Sequence, residues 1–255
     1  ARPEVVIHCA AYTDVDGCAR DPALAYRVNA LGTQNVALAA ESVRAALVFI
    51  STNEVFDGRK SEPYFEFDAP NPLNPYARTK VAGEWFAAHL CSRFYIVRTA
   101  WLYASGGRNF IHSILRAAQT GERLRVVTDE VANPTRVDDL ADALVRLIQT
   151  GAYGIYHLTN AGYCSRYEFA RTILRLTGNG ALPLEPITRA EYARAAALAP
   201  EDPQPRFNMG VLHFKAGDYA EAAAEFGTAA RLPGASPEAA VWAARAEARA
   251  AGGRR

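Results

Sequence analysis

Residues 46–52 read ALVFIST, five apolar side chains in a row followed by two hydroxyls. A strand with one wet face alternates apolar and polar residues, whereas a continuous run fits a strand covered on both faces. Similar runs recur as EVVIHCA (4–10), FYIVRTAW (94–101), LRVVTDE (124–130) and GIYHLTN (154–160). Between them lie stretches with helical spacing of apolar residues: 22–40, 75–90, 109–119, 137–150 and 165–178, the last with Ser165 as its N-cap. Strands alternating with helices predict an α/β protein, a doubly wound, Rossmann-like parallel sheet. Ligands in such folds bind beyond the carboxyl ends of strands, so the residues after the first, second and third runs are the places to look for a site.

Composition excludes more than it suggests. The chain has 255 residues, half of them hydrophobic, with 28 basic and 27 acidic side chains. That balance gives no bulk charge for nucleic acid or an anionic membrane, and a site must carry the function. No apolar run reaches the roughly 18 residues of a spanning helix, and the first residues lack the order of a signal peptide, which predicts a cytoplasmic protein. Cys9, Cys18, Cys91 and Cys164 have no metal-finger spacing and read as reduced structural thiols. Asp14 and Asp16 lack further oxygen ligands and read as a solvated helix start, so no metal is expected.

The texture changes near residue 203. NMGVLHFKAGDYAEAAAEFGTAARL (208–232) places Gly210, Ala222, Phe226 and Ala229 where a tetratricopeptide repeat packs its helix pair, and a third helix is expected over 237–250. One repeat cannot bury its own apolar face. The tail must dock on the α/β body, find a protein partner, or be marginal.

NPYARTK (74–80) carries the chemistry. Tyr76 and Lys80 are four residues apart and share a helix face. A phenol is a poor proton donor unless its ionised form is favoured by a neighbouring cation, and Lys80 supplies one. The pair suits carbonyl reduction, with Tyr76 giving its proton to the developing alkoxide. Alone it is a weak signal, since a four-residue spacing arises by chance. Ser51 and Thr52, at the end of ALVFIST, place hydroxyls where a substrate carbonyl could meet them.

Those stretches, ISTNEVFDG (50–58), EPYFEFDAPNPLNPYARTK (62–80) and RTAWLY (98–103), resemble the dTDP-4-dehydrorhamnose reductase family of extended short-chain dehydrogenase/reductases. HCAAYTDVD, VNALGTQNVA, NPTRVDDLADAL and GIYHLTNAGYCSRYEFA are similar to the same family in the same order. The resemblance covers about residues 1–195, including a small substrate-binding part at about 155–195, with the helical tail over 203–255. It implies that NADPH or NADH reduces the 4-keto group of a dTDP-sugar to give dTDP-L-rhamnose. It further implies that Tyr76 is the proton donor and that Lys80 holds the nicotinamide ribose. Thr52 and Asn53 would meet the sugar, Trp101 would pack on the sugar nucleotide, and Ala11, Tyr12 and Thr13 would touch the cofactor. Asn29 resembles a position near the cofactor, although an asparagine in a helix also bonds local backbone.

The chain departs from the family at three points. No glycine-rich turn follows the first strand, which resembles the family's fourth; GAYG (151–154) and GNG (178–180) stand in the wrong context. If the chain is part of a longer product, a strand and glycine loop are expected upstream; if it is the whole product, dinucleotide binding should be weaker by several kcal/mol than in a complete relative. Past residue 195 the tail replaces the family's further substrate-covering segment. Asn53 and Glu54 replace an aspartate and a tyrosine, and Ala77 a glycine, which bears on sugar specificity more than on hydride chemistry. The competing readings are a non-catalytic regulatory subunit of the same fold and a related nucleotide-sugar epimerase or dehydratase. Assembly is open between a homodimer and a protein partner bound through the tail.

Overall fold

A computed structural model describes residues 2–106, 109–121, 123–188, 191, 209–211, 213, 214, 218–232 and 237–252. The expected end of the α/β body near residue 195 lies outside the described residues. In chain order the elements begin with β1 (Val5–His8), α1 (Val15–Arg20), α2 (Pro22–Ala25), a π-helical turn (Tyr26–Leu31), α3 (Gly32–Ser42) and β2 (Ala46–Thr52). They continue with α4 (Pro75–Leu90), β3 (Phe94–Thr99), β4 (Leu102–Tyr103), α5 (Phe110–Thr120), β5 (Leu124–Val127), β6 (Val131–Ala132) and β7 (Thr135–Arg136). The remainder is α6 (Val137–Gln149), β8 (Gly154–His157), β9 (Cys164–Ser165), α7 (Arg166–Leu176), β10 (Leu184–Ile187), α8 (Tyr219–Arg231) and α9 (Pro237–Gly252).

Two compact units result. One comprises Ala1–Arg98, Tyr153–Tyr156 and Ala193–Arg255; the other comprises Thr99–Ala152 and His157–Tyr192. The second therefore takes in Thr99–Ala152 as well as most of the stretch read from sequence as the substrate part.

The first unit is built on a four-stranded sheet in the order β1-β2-β3-β8. β1 and β2 run parallel, with Val5 opposite Ala46 and His8 opposite Phe49. β2 lies inside the sheet, and Leu47, Val48 and Phe49 are at most 1% exposed, as a doubly covered strand requires. Strand β1 stops at His8, so Cys9 is exposed instead of sitting in the strand; all four cysteines are free thiols. Ala37 and Ala40 of α3 and Ala87 of α4 pack with Leu47, Phe49 and Ile96 in one core. Their small side chains bring the helix axes close to the sheet, and burial of a side chain like Phe49 contributes roughly 2–3 kcal/mol.

Helix α4 starts where the sequence says it should. Asn74 caps it by accepting from the backbone N–H of Ala77 at 2.8 Å, and Pro75 occupies the first turn, where its missing N–H costs nothing. Gly83 sits directly over the Phe49 ring: a Cβ there would come within 2.6 Å of it. The helix can approach β2 this closely because that position has no side chain.

The second unit holds three two-stranded pairings, β5 with β10 and β4 with β7 in parallel, and β6 with β9 antiparallel. Its core is Ile114, Val126, Ala170, Ile173 and Leu174. Ser165 caps α7 in a reciprocal box with Glu168.

Within the first unit the tail docks on α1 and α4. Phe214, Ala222, Phe226, Trp242, Ala243 and Ala246 form a core that Ala19 of α1 joins. The Arg20 guanidinium lies 5.7 Å from the Trp242 ring centre, and Arg78 of α4 donates to the Tyr219 hydroxyl at 3.3 Å. Gly210 presses on Phe226, where a Cβ would come within 2.5 Å. Among the described residues no helix is long and apolar enough to cross a membrane.

The close approach at Gly83 sets a first prediction. Gly83→Ala should lower unfolding stability by about 1–3 kcal/mol, because the added methyl must displace a fully buried ring. Urea denaturation would read this as a lower midpoint; an unchanged or raised midpoint would contradict the packing.

Candidate active site

The carboxyl end of β2 and the first two turns of α4 face each other. Lys80 is 3% exposed, and its ammonium donates to the Ile50 carbonyl at 2.6 Å while lying 4.1 Å from the Phe49 ring centre. One turn earlier, the half-buried Tyr76 meets the hydroxyl of Thr52. Two residues spaced by one helical turn therefore contact β2 residues spaced by one pleat, and the tyrosine and lysine converge on the strand end.

The turn after β2 is tied to the same helix. The Thr52 hydroxyl accepts from the Glu54 N–H at 3.2 Å, and Asn74, while capping α4, donates to the Glu54 carboxylate at 2.6 Å. Glu54 thus stands beside Tyr76, with an electrical consequence. In the sequence reading Lys80 acidifies Tyr76. In the structure burial is the larger influence and pushes the phenol up, the Glu54 charge adds to the rise, and the Thr52 hydrogen bond opposes it. Lys80 shifts the other way: burial brings it down to about 8, against the favourable charges of Glu84 and Cys9. At neutral pH Tyr76 is a protonated phenol and Lys80 a cation close to its titration point.

Ala11, Tyr12 and Thr13 follow β1 at its carboxyl end. Asn29, from the π-helical turn, clamps this segment: its side-chain oxygen accepts from the Tyr12 N–H at 2.7 Å and its amide donates to the Tyr12 carbonyl at 3.0 Å. The same amide donates to Thr79 of α4 at 3.0 Å. Asn29 is 1% exposed and reaches tertiary partners, not the local backbone that its helical context suggests. The Tyr12 hydroxyl lies across Gly17, where a Cβ would fall within 1.9 Å. His8, 8% exposed, shares a hydrogen bond with Thr33 at 3.2 Å, and burial, then the charge of Lys80, holds its ring below the usual histidine range.

Asn53 lies in the turn beside Thr52, with 3.5 Å between the Thr52 hydroxyl and its side-chain oxygen. Trp101 belongs to the second unit. Its φ of 44° is left-handed, a conformation that side chains other than glycine rarely adopt. The Arg166 guanidinium lies 3.6 Å from its ring centre, and Arg166 also pairs with Glu130 at 3.1 Å. The sequence reading overlooked Asn74, Glu84 and Arg98. Glu84 had a signal: it continues the four-residue spacing of Tyr76 and Lys80 on one helix face. Two surface hollows lie elsewhere, one of about 480 Å³ along Ala220, Ala223 and Glu247 and one of about 200 Å³ along Arg123 and Leu184.

The donor set suits a nicotinamide nucleotide. An ammonium carries three N–H groups and Ile50 accepts one, so ribose hydroxyls can be held by the others. A parallel α/β sheet whose strand end meets a Tyr-x-x-x-Lys helix defines the short-chain dehydrogenase/reductase class. Residues 1–204 match the RmlD substrate binding domain family. The chain is 40% identical over 199 residues to dTDP-4-dehydrorhamnose reductase of Mycobacterium tuberculosis, covering 76% of this chain and 66% of that one. It is 36% identical over 208 residues to the spore coat polysaccharide biosynthesis protein SpsK of Bacillus subtilis, covering 82% and 71%. The crystal structure of dTDP-4-dehydrorhamnose reductase from Bacillus anthracis in complex with NADP superposes with a TM-score of 0.72 at 43% identity, covering 75% of this chain and 69% of that one. The chain belongs to the dTDP-4-dehydrorhamnose reductase family and spans about two thirds of the length of these relatives.

A buried ammonium titrating near pH 8 costs stability wherever it is charged. Because its folded value lies below the ordinary 10.5, the contribution is favourable above 10.5 and is lost as pH falls through about 8. Lys80→Met should therefore unfold at a higher temperature than the parent at pH 7, with the gain shrinking as pH rises from about 8 towards 10.5. Calorimetry across that range checks it; a variant less stable at pH 7 would show that the cation's partners outweigh its burial.

Proposed function

We propose that this chain carries the catalytic residues of an NADPH- or NADH-dependent dTDP-4-dehydrorhamnose reductase, which reduces the 4-keto group of dTDP-6-deoxy-L-lyxo-4-hexulose to dTDP-L-rhamnose. The observation that carries this reading is the convergence of Tyr76 and Lys80 on Thr52 and Ile50 at the end of β2. The bound nicotinamide supplies the hydride. Tyr76, kept protonated by burial and Glu54, donates its phenolic proton to the carbonyl oxygen as that oxygen gains charge. Lys80 offsets the charge left on the phenol and holds the cofactor ribose. Thr52 orients the phenol and the sugar, with Asn53 beside it. Ala11, Tyr12 and Thr13 form the cofactor-facing edge, held by Asn29.

Trp101 is the sugar-nucleotide contact in this reading. Its left-handed backbone costs about 1–3 kcal/mol, a strain that surrounding structure supports most often at functional positions. Its large flat ring suits stacking against a sugar or a base.

The test is NADPH oxidation in the presence of the 4-keto sugar nucleotide. Tyr76→Phe should lower kcat by about 10²–10⁴-fold with little change in KM, since the variant lacks only the proton. A phenylalanine variant turning over at the parent rate would remove Tyr76 from the mechanism.

A further inference from the structure

A second buried charge system lies one turn beyond Lys80. Glu84 is 5% exposed and Arg98, on β3, is 3% exposed. They form a two-pronged ion pair, with Arg98 Nε donating to one carboxylate oxygen at 2.9 Å and Nη2 to the other at 2.7 Å. The Ser51 hydroxyl donates to the same carboxylate at 2.5 Å. The third nitrogen of Arg98 donates to the Glu66 carbonyl at 3.2 Å, and its guanidinium lies 5.1 Å from the Phe56 ring centre, so the loop between β2 and α4 is held as well.

A buried ion pair of this kind is poor value as a stabiliser, because desolvation of both ions offsets most of their attraction. Its place explains it better. Ser51 lies between Ile50, which accepts from Lys80, and Thr52, which meets Tyr76. The Ser51–Glu84 bond therefore pins the strand residue between the two site contacts to the helix that carries Tyr76 and Lys80. Lys80 is also faced by His8 of β1, Cys9 just beyond it, and the Phe49 ring. Of these and Glu84, the Glu84 carboxylate is the largest influence that favours the ammonium.

We propose that Glu84, anchored by Arg98, is a positioning residue that fixes the end of β2 through Ser51 and stands as the buried counter-charge one helical turn beyond the Lys80 ammonium. Its consequence for turnover rests on the reductase reading; its effect on Lys80 does not. Glu84 touches neither substrate nor cofactor in this scheme and acts through Ser51 and Lys80.

The lysine count makes a direct test practical: Lys60, Lys80 and Lys215 are the three lysines of the chain. Protein labelled with ¹³C at the lysine side chain gives three resonances, and the one missing in Lys80→Met is that of Lys80. In the parent it should titrate near 8, below the ordinary lysine value of 10.5. In Glu84→Gln its midpoint should fall by about one pH unit or more, as loss of a close opposite charge requires. The alkaline limb of kcat should move down by the same amount, with KM for the sugar nucleotide little changed, and Glu84→Asp should restore part of both. If Arg98, left without its partner, prevents Glu84→Gln from folding, the double variant Glu84→Gln/Arg98→Met removes both buried charges and should show a fall of the same sign but smaller, because loss of the guanidinium charge offsets part of the loss of the carboxylate. An unshifted Lys80 resonance in whichever variant folds overturns the proposal. A shifted resonance in a protein whose parent does not oxidise NADPH with the sugar nucleotide would uphold it while removing the reductase reading.

Discussion

A protonated amine held at 3% exposure between a helix and a strand end is the constraint around which the first unit is arranged. Left alone in a protein interior, an ammonium sheds its proton, because burial disfavours the charged form far more than the neutral one. Here the Ile50 carbonyl, the face of Phe49 and the carboxylate of Glu84 all lie on the side of the cation. Each depends on α4 lying close to β2, and that approach depends on Gly83 having no side chain above Phe49. The core, the helix packing and the protonation state of Lys80 are one problem, solved at one place.

Two carboxylates then divide the electrical work. Glu54, beside Tyr76, raises an already buried phenol, while Glu84, beside Lys80, resists the fall of a buried amine. Both effects hold a proton on its group at neutral pH, and in the proposed reduction the one on Tyr76 is the proton consumed. The same residues serve local structure: Glu54 accepts from the helix cap Asn74, and Glu84 from the strand-end Ser51. Chemistry and architecture share the same hydrogen bonds.

The tail answers a different physical need. A single helix pair has too little apolar surface of its own to bury. α8 and α9 close their core with Ala19 of α1, and Arg20 and Arg78 add polar contacts to Trp242 and Tyr219. Of the three outcomes open from sequence, docking on the α/β body is the one the structure displays.

Much of this was legible in order of residues. Continuous apolar runs marked the longer strands, Pro75 marked the start of α4, and Tyr76, Lys80 and Thr52 stood out by type and spacing. What stayed hidden lies in partners far apart in the chain. Asn29 looked like a helix-interior asparagine, yet its partner Thr79 is 50 residues away. Arg98 reads as one polar residue in an apolar strand until Glu84, 14 residues earlier, is brought beneath it. By itself the sequence determined β1, β2, β3, β5 and β8, the helices α4 to α7 and the placing of Tyr76 one turn before Lys80, because periodicity and capping act within a turn or two of chain; the short strands β4, β6, β7, β9 and β10 needed the tertiary structure. The charge states of that pair were decided only by tertiary structure, since burial and the placement of Glu54 and Glu84 depend on which segments the fold brings together.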